Sequence, residues 1–316
     1  MRNKFAFIIP YIGKLPSWFQ LWLNSCARNK NIDWLLFTDD KRQFIYPDNV
    51  KVSYCQFDDL RTLFQKNFDF QISLEKPYKF CDYRPAYGEI FAEYLEGYSF
   101  WGYCDLDLIW GDLGKRISID DIEKFDRISH WGHCTFIKNN SETNKIYQIR
   151  IEGLSYYRDI YQRKANFGFD AENGFNSITC FSGLKEFVIP FFDVSPTLLS
   201  YKFSPTFVSR QFFAVSTKDN IIKVDASGTH LVGIKSDGTL HSQDFAYVHL
   251  QRRKMEVCVD EMSEEYLIVP NKFIPNRELT ADVIKQIVPS DFVAQMKRQK
   301  LLWQSRYNVF KQQVIK

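Results

Sequence analysis

Long apolar runs, an excess of charge of one sign and paired-cysteine motifs are all missing from this 316-residue sequence. The 41 Lys and Arg stand against 38 Asp and Glu, a net of +3 that is too balanced for a nucleic-acid binder working through bulk charge. No nucleic-acid partner is therefore expected. The seven cysteines, Cys26, Cys55, Cys81, Cys104, Cys134, Cys180 and Cys258, are odd in number, widely spread and never in a CxxC arrangement. That excludes a thiolate zinc site and a disulfide framework, and predicts reduced thiols in a cytoplasmic protein. The first apolar run, residues 5–9, is cut by Pro10 and is far shorter than a signal-peptide core or a membrane span. Neither export nor membrane insertion is expected from it. Internal repeats and low-complexity linkers are also missing, which leaves one large domain with a small appendage as the expected organisation.

What is there is a chain 45% hydrophobic and 17% aromatic, enough to bury a sizeable α/β core. Residues 5–9 read as a strand and residues 34–37 as a second. Between them, residues 16–28 place Trp18, Leu21, Trp22 and Cys26 at helical spacing. This β-α-β order predicts parallel pairing and a ligand crevice at the carboxyl ends of the strands, where Pro10, Tyr11, Thr38 and Asp39 sit. A third strand is expected at 50–54, and a helix at 85–96 that opens on Pro85 and stops at Gly97. The aromatic run 98–104 then reads as a buried strand that delivers Asp105-Leu106-Asp107 at its end. Further strands are expected at 127–137, 221–224 and 246–249. Residues 139–176, polar and rich in Tyr, Arg and Asn, predict a helical insertion plus loop suited to an acceptor.

Two carboxylates one residue apart at a strand tip are well suited to holding a hard divalent cation, Mg²⁺ or Mn²⁺, that bridges the phosphates of a nucleotide diphosphate. Average composition gives on the order of one chance DxD in a chain this long, and aspartates also cap turns. Here the single DxD follows a buried aromatic strand on the crevice side of a nucleotide-binding start, which favours function.

The blocks Phe-Ile-Ile-Pro-Tyr-Ile-Gly at 7–13, Leu-Leu-Phe-Thr-Asp-Asp at 35–40, Pro-Tyr-Lys-Phe-Cys-Asp-Tyr-Arg-Pro-Ala-Tyr-Gly at 77–88 and Gly-Tyr-Cys-Asp-Leu-Asp at 102–107 carry a resemblance. Over roughly residues 5–255 the chain resembles a bacterial family of predicted DxD glycosyltransferases with the GT-A fold, found among capsule and surface-polysaccharide genes. The resemblance implies an α/β fold with a mostly parallel central sheet flanked by helices, a nucleotide-diphosphosugar donor and a divalent metal. It implies a catalytic domain over 1–289, with a donor half at about 1–138, an acceptor region at about 139–220 and closing strands at about 221–260.

By the same resemblance Lys79 and Arg84, oriented by Asp82, are candidates for the donor phosphates or sugar; the alternative for each is an ordinary salt bridge with Asp82. His249 would complete a metal set with Asp105 and Asp107, since it ends the apolar run 245–248 and is followed by Gln251, Arg252, Arg253 and Lys254. Lys254 or a neighbouring arginine would meet the diphosphate, and His230, near Gly233 and Lys235, is a weaker alternative to His249. His130 and His133, three apart in one strand, would face opposite ways and are rejected as a metal pair. His133 is kept as a sugar-pocket residue. Asp170 and Glu172 are candidates for the base that an inverting transferase needs on its acceptor side, against a solvated loop or helix cap.

The expected reaction is displacement at the anomeric carbon of a nucleotide-sugar, with a UDP-sugar as the leading donor and a glycan or lipid-linked glycan as acceptor. A sugar nucleotidyltransferase would share sheet and metal, but Tyr11-Ile12-Gly13-Lys14-Leu15-Pro16 is a poor version of its glycine-rich loop. A non-catalytic carbohydrate binder is favoured only by 29 Phe, 17 Tyr and 7 Trp, and aromatics at regular spacing are more often core. From about residue 290, Phe292, Met296, Trp303, Tyr307, Phe310 and Val314 recur at helical steps. Lys297, Arg298, Lys300, Arg306, Lys311 and Lys316 surround them. Such a basic amphipathic helix suits either packing on the catalytic domain or peripheral contact with the anionic inner face of the cell membrane.

Overall fold

The computed structural model describes residues 5–117, 122–193, 203, 210–251, 253–288, 296 and 299. The expected basic helix at 290–316 and Arg252 lie outside the described residues, apart from the single positions 296 and 299. The chain is mixed α/β, with multi-stranded sheets and helices. It forms two compact units, one from residues 1–19, 26–106 and 114–189 and the other from 20–25, 107–113 and 190–316. No described helix is long and apolar enough to cross a membrane.

The first unit is built on a seven-stranded sheet. Its strands run in the order Val50–Tyr54, Ile32–Thr38, Phe5–Tyr11, Phe100–Cys104, Cys134–Lys138, Arg127–Trp131 and Glu186–Phe187. Phe5–Tyr11 pairs in parallel with Ile32–Thr38, in register from Phe5 opposite Ile32 to Tyr11 opposite Thr38, and in parallel with Phe100–Cys104 on its other side. The pairing with Ile32–Thr38 is the expected one. Strands covered on both faces have no polar face, which is why all seven residues of Ile32–Thr38 and all five of Phe100–Cys104 are buried. Gly102 is required in that strand: a Cβ there would lie 2.3 Å from the Thr135 carbonyl oxygen of the antiparallel neighbour.

Three sequence expectations change in this unit and at its edge. The helix expected over 85–96 is a chain of short turns, Arg84–Ala86, Tyr87–Ile90 and Ala92–Leu95, broken where Phe91 leaves helical backbone at φ −108°, ψ 23°. The segment is closely packed at Gly88, where a Cβ would lie 2.6 Å from the Trp101 indole. The strand expected over 127–137 is a hairpin, Arg127–Trp131 and Cys134–Lys138, with a register shift between Ile128 and Trp131 and Ser129 at φ 59°. The helix Phe19–Ala27 is buried nearly all round, including Gln20 and Ser25, rather than along one stripe.

The second unit contains a six-stranded sheet in the order Leu240–Phe245, Gly228–Ile234, Lys218–Asp225, Tyr266–Val269, Lys272–Pro275 and Glu256–Val257. Helix Ala281–Ile287, capped by the Thr280 hydroxyl accepting from the Val283 amide at 3.2 Å, packs Ile284 among Ile221, Val232 and Leu267. A separate three-stranded sheet joins Leu108–Trp110, Tyr247–His249 and Phe192–Asp193. There Leu108 stands opposite His249, and His249 opposite Asp193.

Candidate active site

In the first unit the buried strand Phe100–Cys104 ends at Asp105, whose amide donates to the His133 carbonyl at 3.0 Å. Arg84 reaches the Asp105 carboxylate, donates to Asp170 Oδ2 at 2.8 Å and to the Gly132 carbonyl at 2.5 Å, and lies over the Tyr103 ring. One guanidinium thus spans two carboxylates and a carbonyl, which fixes its plane. Asp170 is 5% exposed. Burial pushes its carboxyl up to about 6 even though Arg84 pulls it down. Asp105 and Asp170, far apart in sequence, are brought together by Arg84. The backbone of Glu172 begins the turn Glu172–Asn176, and its side chain lies outside the described residues.

The other first-unit candidates have internal partners. Lys79, 4% exposed, donates to Asp82 Oδ2 at 2.7 Å, to the Ile160 carbonyl at 3.2 Å and to the Ala165 carbonyl. Asp82 has no exposed surface and also accepts from the amides of Phe167 and Phe169, at 3.0 and 2.9 Å. For Lys79 the salt bridge weighed against donor contact is the arrangement present, while Arg84 pairs with Asp105 and Asp170 instead of Asp82. Pro10 and Tyr11 end the central strand Phe5–Tyr11, half-buried, and Thr38 is buried at the end of its neighbour. Asp39 accepts from the Gly13 amide at 2.7 Å, holding the loop after the first strand, where Gly13 has φ 110°. Next to it Asp40 accepts from the Leu15 amide at 2.9 Å and pairs with Arg42, whose guanidinium holds the carboxyl well below the usual range.

His133 is half-buried, with its ring parallel to that of Trp131 at 6.5 Å. His130 faces Glu186 Oε1 at 2.8 Å. The ground for rejecting a His130–His133 metal pair is corrected by the turn between them, since the two residues do not share one continuous strand.

In the second unit the chain continues from Leu106 into Asp107, whose carbonyl accepts from the Leu250 amide at 2.8 Å. Asp107 directly precedes Leu108, the partner of His249 across the sheet, so side chain and ring converge: His249 Nε2 lies 3.5 Å from Asp107 Oδ1. On the ring's other side Nδ1 lies 3.0 Å from Asp193 Oδ1. Burial alone would push this imidazole down, but the carboxylates of Asp107 and Asp193 outweigh it and raise it to about 10. Asp193 was not singled out from sequence; the one signal for it is the apolar run Phe191-Phe192 that ends on a carboxylate.

Lys254 is exposed, and Arg253 is buried with its guanidinium over the Phe203 ring. His230 is held by two carboxylates, Nδ1 at 2.7 Å from Asp244 Oδ1 and Nε2 at 3.0 Å from Asp225 Oδ1. Both of its ring nitrogens are thereby engaged within the second unit's six-stranded sheet.

The donor set fits a divalent cation. At 3.5 Å, His249 Nε2 and Asp107 Oδ1 stand farther apart than the 2.7–3.2 Å of a good hydrogen bond. Two cis ligands of an octahedral ion at about 2.1 Å would be separated by about 3 Å, so little movement is needed. Ligating His249 has to be neutral, and the Asp193 carboxylate on Nδ1 is the kind of partner that orients a metal-bound imidazole.

The model of a family of unknown function, DUF6625, matches residues 7–277. No curated protein matches the chain. Among solved structures, the galactosyltransferase LgtC in complex with donor and acceptor sugar analogues aligns at a TM-score of 0.32 and 9% identity, over 60% of this chain and 75% of that one. An active-site mutant of LgtC aligns at 0.37 and 9%, over 78% and 88%. The glycosyltransferase GlyE of Streptococcus pneumoniae TIGR4 aligns at 0.32 and 14%, over 59% and 45%.

Proposed function

This chain belongs to DUF6625, a family of unknown function, and we propose that it is a metal-dependent glycosyltransferase using a nucleotide-diphosphosugar donor, with a UDP-sugar first in line. The observation that carries this reading is the convergence of Asp107 and His249 on paired strands immediately after Asp105. Asp107 and His249 can each offer one ligand atom to a cation, and with Asp105 two positions earlier in the chain the carboxylates and imidazole are of the kind that suits Mn²⁺ or Mg²⁺. When bound, the ion would offset the charge that develops on the leaving diphosphate.

The chain's own residues have separate roles in this proposal. Arg84, fixed by Asp170 and the Gly132 carbonyl, offers a preorganised cation to donor phosphate or sugar. Asp170 serves the acceptor side, where a carboxyl with a pKa of about 6 is poised to accept a hydroxyl proton near neutral pH. The acceptor is a glycan or lipid-linked glycan of the surface-polysaccharide type, met at the cytoplasmic face of the membrane.

Hydrolysis of UDP-glucose, UDP-galactose and UDP-N-acetylglucosamine, with Mn²⁺ and with EDTA, tests the proposal on the wild type and on Asp107→Asn. Mn²⁺-dependent turnover, lowered roughly 100-fold or more by the substitution in a folded protein, is expected. Turnover indifferent to EDTA, or a variant as active as the wild type, would remove the metal from the reading. Saccharide binding without any turnover would favour a non-catalytic carbohydrate binder, and turnover only with pyrophosphate or a sugar phosphate a nucleotidyltransferase.

A further inference from the structure

The loop that leads into Asp170 is held with unusual firmness at its backbone. Lys79 Nζ donates to the carbonyls of Ile160 and Ala165, and Asp82 accepts the amides of Phe167 and Phe169, so one buried ion pair grips the segment from both ends. The Ala171 amide closes the far side on the Gly168 carbonyl at 3.0 Å. Gly168 takes φ 63° at the tip, a conformation that L side chains rarely adopt. Burying two charges is costly and seldom stabilises a fold by itself; such pairs serve best to specify one conformation.

The conformation specified here displays an aromatic ring. Phe169 turns inward, 1% exposed, with its ring at right angles to that of Tyr161. Phe167, two residues earlier, is 43% exposed. The Lys79 ammonium, itself almost wholly buried, lies over the Phe167 ring at 5.0 Å from its centroid, while the residue keeps 43% of its surface exposed. Arg163, exposed, has its guanidinium over the same ring at 5.9 Å, so its hydrogen-bond donors lie close to the aromatic surface. Three residues further along, Asp170 meets Arg84, and Arg84 meets Asp105. An unbroken line of contacts inside the first unit therefore joins the ring to the first carboxylate of the triplet.

We infer that Phe167 is a stacking platform for a pyranose ring of the saccharide acceptor, preorganised by the Lys79–Asp82 pair. A rigid, half-exposed aromatic face flanked by charged donors matches a sugar, which offers an apolar C–H face rimmed by hydroxyls; a purely apolar ligand would leave Arg163 without a role. Fixing the loop in advance removes part of the ordering entropy that acceptor binding would otherwise cost. That the saccharide is the acceptor rests on the glycosyl-transfer reading; that the ring binds a saccharide does not.

Saturation-transfer difference NMR on the full chain, with methyl α- and β-hexopyranosides as probes, separates the two. The expected result is saturation of the C–H protons of one sugar face in the wild type and in Phe167→Tyr, a loss of roughly tenfold in affinity in Phe167→Ala, and no change in Phe181→Ala, which alters another exposed aromatic. A melting temperature of Phe167→Ala equal to that of the wild type shows that the loss is not unfolding. Equal binding by wild type and Phe167→Ala, or no binding by the wild type, overturns the platform even if UDP-sugar hydrolysis succeeds. Binding that depends on Phe167 in a protein that hydrolyses no UDP-sugar supports the platform and sinks the transferase.

Discussion

Replacing Lys79 by Met tests whether the buried ion pair is a clamp or a ligand. The methionine fills a similar volume but removes the ammonium from Asp82, Ile160 and Ala165, leaving a carboxylate with no exposed surface and only the amides of Phe167 and Phe169 to satisfy it. Removing one partner of a buried pair costs about 3–5 kcal/mol, because the remaining charge is stranded rather than because the pair was worth that much. In a unit of this size each kcal/mol lowers the melting temperature by about 2–4 °C, so a fall of roughly 6–20 °C is expected. Thermal and urea unfolding of wild type, Lys79→Met, Asp82→Asn and the double variant measure it. The double variant should be more stable than Lys79→Met alone, since the introduced amide oxygen would still accept from Phe167 and Phe169 without carrying charge. A Lys79→Met protein that melts within about 2 °C of the wild type yet no longer binds a nucleotide-sugar would refute the clamp and make Lys79 a donor ligand.

Gly102→Ala should abolish soluble expression or cost well over the ~1–3 kcal/mol of ordinary overpacking, because the new Cβ would meet a backbone carbonyl at 2.3 Å and the Phe136 ring at 2.7 Å, neither free to move; wild-type yield and melting would contradict the strand register. Asp170 gives a pH signature: its carboxyl, pushed up to about 6 in the folded protein, holds its proton more tightly than in the unfolded chain. The stability it contributes relative to Asp170→Asn is complete below about pH 4 and is lost as pH rises through 6, a swing of about 3 kcal/mol at most. Parallel melting curves of the two proteins from pH 4 to pH 8 would remove this burial penalty. For the basic stretch beyond residue 290, each Lys or Arg near anionic lipid contributes about 1 kcal/mol. Co-sedimentation with phosphatidylglycerol vesicles should therefore be salt-sensitive for the full chain and weak for a chain ending at Ser290, and equal pelleting of both would exclude that stretch as the contact.

How far the sequence carried can be judged from two neighbouring carboxylates. Asp105 and Asp107 were legible because a buried strand announces itself by composition, and whatever follows its last residue must emerge at the sheet's end. His249 was legible for a similar reason: it closes an apolar run that has to be a strand, here Tyr247–His249. The parallel start of the first sheet followed from strand-helix-strand order alone. Turns were harder. Gly132 looks like one more small residue in a strand, and only the pairing of Trp131 with Cys134 shows that the chain reverses there.

Partners supplied by register were not legible at all. Asp193 reaches His249 because Phe192–Asp193 lies parallel to Tyr247–His249, a pairing between residues more than fifty positions apart that no local pattern encodes. The same holds for Arg84 and Asp170, 86 residues apart. A sequence window offers Arg84 the nearby Asp82, and spacing alone cannot say that Asp82 is already occupied by Lys79 and two backbone amides. Once it is occupied, Arg84 is left to neutralise Asp105 and Asp170, and its hold on the buried Asp170 is what keeps burial from raising that carboxyl further. Burying the Lys79–Asp82 pair thus does two things at once: it fixes the loop that carries Phe167, and it directs the neighbouring guanidinium to the carboxylates of the candidate site.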